Sequence, residues 1–117
     1  MAKAWAKASD LRRLALALNG TTEAPHFDRT AFKVARIYVT LATDGETANF
    51  KFAPDEQALK CTVAADAFTP VPNAFGKQGW TTATLSKLTI PELQSALEMA
   101  HAHALPTKAK RKPRASG

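Results

Sequence analysis

Between residues 37 and 52 the sequence IYVTLATDGETANFKF alternates apolar and polar side chains on both sides of Asp44-Gly45. Asp-Gly tolerates the positive φ that a tight hairpin needs, so this dipeptide fixes where the chain reverses. The reversal in turn fixes the pairing: Leu41 opposite Ala48, Val39 opposite Phe50 and Ile37 opposite Phe52. Strand side chains alternate faces with period two, so all of these residues share one face. The reading is a half-buried antiparallel sheet with one apolar and one polar side.

The preceding segment extends the same register. If the chain turns back through Ala35-Arg36, Val34 meets Ile37 and Phe32 meets Val39, again on the apolar face. The opposite face then carries Lys33, Tyr38 and Lys51 in one cross-strand row and Ala31, Thr40 and Asn49 in the next. A further strand is predicted over Trp80 to Leu85, after a stretch whose Pro70, Pro72, Gly76 and Gly79 read as an ordered loop or irregular edge.

Helices flank the strands. Ser9 or Asp10 is placed to cap a helix with Leu11, Leu14 and Leu18 on one side, closed by Gly20. A shorter helix starts at Pro54, where Asp55 and Glu56 suit the positive end of the helix dipole and Lys60 the negative end. Thr89 and Glu92 form a T-x-x-E capping box, and Ile90, Leu93, Leu97, Ala100 and Ala104 follow as one apolar stripe that should stop before Pro106.

A chain of 117 residues has room for one domain and one core, here assigned to residues 1–105. From Pro106 the sequence PTKAKRKPRASG, with like charges and no apolar anchor, reads as a disordered basic tail over 106–117. That tail carries Lys108, Lys110, Arg111, Lys112 and Arg114, five of the six formal net positive charges, so the folded part is nearly neutral. Cys61 is the lone cysteine, which excludes an internal disulfide, and no apolar run reaches the roughly 20 residues that span a bilayer. The expectation is a soluble cytoplasmic protein with no membrane role.

The residues offer little for catalysis. His101 and His103 are two apart on a predicted helix, where their side chains diverge by roughly 200° and do not share an ion. The sequence has no H-E-x-x-H, no nucleophile elbow, no phosphate-binding glycine loop and no dinucleotide fingerprint. The acids fall mainly in or near turns and helix starts, which attract them for structural reasons. No metal, no cofactor and no enzymatic activity are therefore expected. An enzyme would be favoured only by a concave pocket gathering His26, Asp28 and Trp80. The row Lys33, Tyr38 and Lys51 is the more informative feature, because lysines neutralise phosphate and an aromatic ring offers a stacking surface.

Taken together, Glu23-Ala24-Pro25 before Phe27, Phe32-Lys33-Val34, the hairpin Ile37 to Phe52, Ala53-Pro54-Asp55-Glu56 and Gly76-Lys77-x-x-Trp80-Thr81 resemble the MmcQ/YjbR family. The resemblance spans roughly residues 9 to 105. It implies an α+β double-wing, CyaY-like fold, an antiparallel sheet with helices packed on one face, and the DNA-binding role attributed to the family by fold analogy. Two places depart from the family pattern. Ala35-Arg36 stands where Gly-Lys is common, and Gly79 stands where many members have a histidine before the tryptophan. The expected function is non-catalytic DNA binding of low sequence specificity, with phosphates met by Lys33, Arg36, Lys51, Lys77 and the tail, beside Tyr38 and Trp80. The alternative is a protein-interaction or self-associating module on the same face, and the oligomeric state is left open.

Overall fold

The computed structural model describes residues 4–105, so the sequence assignment for 106–117 lies outside the described residues. The elements run α1 (Ala8–Ala17), β1 (Thr22–His26), β2 (Arg29–Lys33), β3 (Ile37–Leu41), β4 (Thr47–Lys51) and α2 (Pro54–Val63), followed by β5 (Phe68–Pro70) and α3 (Ala74–Lys77). The chain then forms β6 (Trp80–Thr84), a 3-10 turn at Leu85–Lys87 and α4 (Ile90–Ala104). The strands make one antiparallel six-stranded sheet in the order β1-β2-β3-β4-β6-β5. The fold is α+β, as the sequence predicts.

The Asp44-Gly45 hairpin sets the register. Val39 pairs with Phe50, Thr40 with Asn49 and Leu41 with Ala48. The loop is wider than two residues: Gly45 N–H donates to the Ala42 carbonyl at 2.9 Å and Gly45 takes φ 75; Leu41–Ala48 and Val39–Phe50 pair as expected, but the expected Ile37–Phe52 pair does not form. Burial follows this register. Phe32, Val39, Phe50, Phe52, Phe68 and Ala83 are buried with Leu11, Leu14 and Ala15 of α1 and Leu93, Ala96, Leu97 and Ala100 of α4. Removing each phenylalanine from water contributes about 1.5–3 kcal/mol, which is why one face is covered by helices.

Caps hold those helices in place. The Thr89 N–H donates to Glu92 Oε1 at 2.8 Å and the Glu92 N–H to Thr89 Oγ1 at 3.4 Å, so the predicted box starts α4. On α2 the Ala53 N–H donates to Glu56 Oε1 at 3.0 Å. That helix has no fully buried residue and is tied down by polar atoms instead: Gln57 Nε2 donates to the carbonyls of Gly76 and Trp80 at 2.9 and 3.0 Å. In α1 the expected capping shifts. Lys7 is the N-cap, and Asp10 accepts its N–H at 3.0 Å from the third helical position.

The main departure from the sequence reading is at the start of β3. Phe32 pairs with Val39 as predicted, but Lys33 pairs with Ile37 rather than Tyr38. The chain turns through three residues, with Val34 N–H donating to the Arg36 carbonyl at 3.2 Å, and Tyr38 is the extra residue of a β-bulge. The bulge turns Tyr38 to the helix side, where it is 0% exposed. Its hydroxyl donates to the Ala15 carbonyl at 3.3 Å and lies 2.7 Å from Thr21 Oγ1, and its ring meets His101 edge-on. An aromatic ring gains more from burial than from standing on a solvated face, provided its hydroxyl finds partners. Ile37 takes the place on the uncovered side that the alternation assigns to Tyr38.

Candidate functional site

The uncovered face of the sheet is built from registered rows. Ala24, Ala31, Thr40, Asn49, Thr82 and Thr69 are successive cross-strand partners over all six strands. Toward one end, Lys33 pairs with Ile37 and Lys51 with Trp80. Small and β-branched side chains fill the middle row, so the face is low at its centre, and the structures at its margins rise above it.

Two of those margins close a concave groove of about 340 Å³, whose lining includes Phe27, Arg29, Thr40, Asn49, Phe75 and Trp80. One wall is the β1-β2 turn, Phe27-Asp28, enclosed by the pair His26 and Arg29. Phe27 has φ 60, at a turn position that glycine usually takes, and is 93% exposed. The Asp28 carbonyl accepts a hydrogen bond from Thr43 Oγ1, which braces this turn against the next hairpin. His26 packs edge-on against the Phe27 ring, with centroids 4.8 Å apart. The other wall comes from the segment between β5 and β6, where Asn73 caps α3 by accepting the Phe75 N–H at 2.9 Å and Phe75 is 57% exposed.

Glycines place that second wall. A Cβ on Gly76 would stand 1.8 Å from the Val71 carbonyl oxygen, and one on Gly79 would stand 1.8 Å from that of Phe52. Gly79 also takes φ 111 and its carbonyl accepts the Phe52 N–H at 3.1 Å. In this chain the position where the family resemblance expects a histidine thus has no space for a side chain. Trp80, the next residue, stands half-buried over the sheet.

A second groove of about 320 Å³ adjoins the first, with Ile37 and Trp80 lining both. Its other walls are Arg36, Lys51 and Gln78, with His103 and Ala104 from the end of α4. The structure therefore brings together Arg36, Lys51 and Trp80 of the residues singled out in the sequence, and Lys33 stands exposed in the row beside Ile37. Lys77 is exposed at the end of α3, two residues from Phe75. Tyr38 is corrected: buried on the helix side, it offers no ring to the open face, and burial pushes its phenol above the usual tyrosine range against a smaller lowering pull from the Thr21 hydroxyl.

Sequence reasoning missed Phe27, Phe75 and Arg29 as site residues. The available signal was an aromatic inside a short polar turn, His26-Phe27-Asp28-Arg29, where burial gives no reason for one. Among the described residues no cluster of His, Cys, Asp or Glu could hold a metal ion, and no helix is long and apolar enough to cross a membrane.

The geometry defines an α+β protein with a one-sided sheet, helices over one face, an aromatic-rimmed groove on the other and, adjoining it, a basic groove that reaches the end of α4. The family model described as YjbR matches residues 16–103, and the chain belongs to that family. It is also similar to the crystal structure of protein DR2400 of Deinococcus radiodurans, described with the family domain DUF419. The TM-score is 0.78 at 22% identity, over 93% of this chain and 88% of that one, a likeness of fold. Among curated proteins, none matches.

Proposed function

We propose that this protein is a non-catalytic nucleic-acid-binding protein of the cytoplasm that uses the uncovered sheet face. The observation that carries the reading is the adjacency of two grooves. One is rimmed by the rings of Phe27, Phe75 and Trp80, and the other is lined by Arg36 and Lys51, with Trp80 common to both. Rings on which bases stack, beside cations that track phosphates, are what strand binding without strong sequence preference requires. The concavity favours unpaired bases over an intact duplex, because stacking needs an exposed base face.

The test is a titration of single-stranded and duplex DNA at two salt concentrations with the full chain. Tighter binding of the single strand, weakened by salt and by the double change Lys33→Ala and Lys51→Ala, supports the reading. Equal binding by that variant and the parent overturns it.

A second reading has one observation in its favour: His26, Asp28 and Trp80 do line one concave groove, which suits a small molecule. The His26 ring packs edge-on against Phe27, with centroids 4.8 Å apart, which supports its place in the aromatic rim ahead of an acid-base role. Binding of small aromatic molecules without any strand affinity would favour this second reading.

A further inference from the structure

Arg29 begins β2, immediately after the Phe27-Asp28 turn, and its guanidinium is used on one side only. Nε–H donates to Thr40 Oγ1 at 2.9 Å and Nη2–H donates to the Thr40 carbonyl at 3.2 Å. Both bonds come from the edge on which Nε and one terminal nitrogen stand side by side. A guanidinium carries five N–H donors in a rigid plane, so the end-on pair, one N–H on each terminal nitrogen, is directed elsewhere. Among the described residues no carboxylate pairs with Arg29 and no further acceptor meets it. Thr40 is 6% exposed, so the two bonds anchor the guanidinium to a fixed point of the sheet. The result is a preorganised two-donor fork lining the same groove as the three exposed or half-exposed rings.

A guest that satisfies both features must be flat, with faces that stack, and must carry two neighbouring acceptors on one edge. We propose that the groove holds a single unstacked guanine base of a nucleic-acid strand, with O6 and N7 on the Arg29 fork and its faces against the aromatic rim. This inference rests on the strand-binding reading above. Guanine presents two adjacent acceptors on that edge, whereas adenine places an amino donor beside N7 and would set donor against donor. Cytosine pairs N3 with O2, but its single ring offers a smaller stacking face to a groove of about 340 Å³. The basic groove beyond Trp80 then takes the flanking phosphates through Arg36 and Lys51.

The strained turn supports the same assignment. Phe27 combines a left-handed backbone with almost complete exposure, so neither backbone preference nor burial accounts for a phenylalanine there. Contact with a bound ring does.

The experiment measures fluorescence anisotropy of short oligothymidylate strands carrying one central guanine, adenine, cytosine or 7-deazaguanine, with free guanosine monophosphate as competitor. The guanine strand is expected to bind about tenfold tighter than the adenine and cytosine strands, and the 7-deaza strand to lose most of that preference. Arg29→Lys, which keeps a positive charge and loses the fixed fork, is expected to bring the ratio of guanine-strand to plain oligothymidylate affinity close to one, with circular dichroism checking that the fold is kept. Plain strand binding with no guanine preference, or a preference that survives in Arg29→Lys, overturns this inference and leaves strand binding standing. Binding of free guanosine monophosphate without binding of any strand overturns the strand as its source. Failure of every strand and of the free nucleotide overturns both readings together.

Discussion

Phe27 and Tyr38 are two aromatics whose surroundings are the reverse of what their local sequence suggests. Phe27 sits at the tip of a turn with φ 60 and is exposed, and Tyr38, in a polar slot of an alternating strand, is buried. Left-handed backbone costs a non-glycine residue about 1–2 kcal/mol, and glycine's greater unfolded-state freedom returns about 0.4–1 kcal/mol of that in the opposite sense. Phe27→Gly should therefore leave the thermal midpoint unchanged or slightly raised while weakening strand binding several-fold, which calorimetry and anisotropy on the same sample will check. A large loss of stability would assign Phe27 to the fold instead.

Tyr38 supports a pH prediction. It is the single tyrosine of the chain, so the phenolate absorbance reports it alone. Its folded-state pKa is raised, chiefly by desolvation, so the folded protein holds this proton more tightly than the unfolded one. The associated stability is fully present below the unfolded value, about 10, and is lost as pH rises through the folded value. Ionisation should appear above the free-tyrosine midpoint and together with unfolding, and Tyr38→Phe should flatten that alkaline fall. Ionisation at the free-tyrosine midpoint with the fold intact would mean that the ring is exposed. Of the site residues, Arg36 and Lys51 were legible in the sequence because their charge must reach solvent, whereas Arg29 was not, since its use depends on the cross-strand neighbour Thr40. The facing of Tyr38 was not, since alternation carries no information about a bulge.

At the scale of elements, the β3-β4 hairpin and α4 were readable because each has a local chemical marker. Asp44-Gly45 fixes one register, and Thr89 with Glu92 satisfies the free N–H groups of one helix start. β1 and β5 were not read as strands. Each contains a proline and lies at an edge of the sheet, where pairing on one side suffices and alternation is weak, and β5 is only three residues long. The loop before β6 was recognised from its prolines and glycines, but the reason for the glycines is long-range: the backbone of Phe52 passes where a Gly79 side chain would stand. Gly79→Ala should destabilise the protein by about 3 kcal/mol through that close approach and the positive φ. The urea midpoint will measure it, and an unchanged midpoint would contradict the packing described for this loop. Thr89→Ala, by contrast, removes one cap bond and should cost about 1 kcal/mol.

For the whole molecule, charge and shape are divided. The helices cover one face, the aromatic-rimmed groove lies on the other and the basic groove reaches round to the end of α4, and five of the six net charges belong to the last dozen residues of the sequence. α4 ends at His103 and Ala104, which line the basic groove, so the chain leaves the described region beside Arg36 and Lys51. Deleting residues 106–117 should weaken binding of long strands and lower the slope of log affinity against log salt by about 0.7 for each phosphate that those residues neutralise. Short strands that fill only the grooves should bind the shortened chain almost as well as the full one. Salt titrations with two strand lengths will separate these contributions, and equal weakening at both lengths would put the tail inside the groove site itself.

The most direct test of the central claim is residue-resolved: amide and side-chain NMR shifts of the full chain, followed while single-stranded DNA is added. The largest changes are expected at Phe27, Arg29, Asn49, Phe75 and Trp80, a second set at Arg36 and Lys51, and little change along the outer surfaces of α1 and α4. Changes confined to the helical side, or none at the groove residues at saturating strand, would contradict that claim.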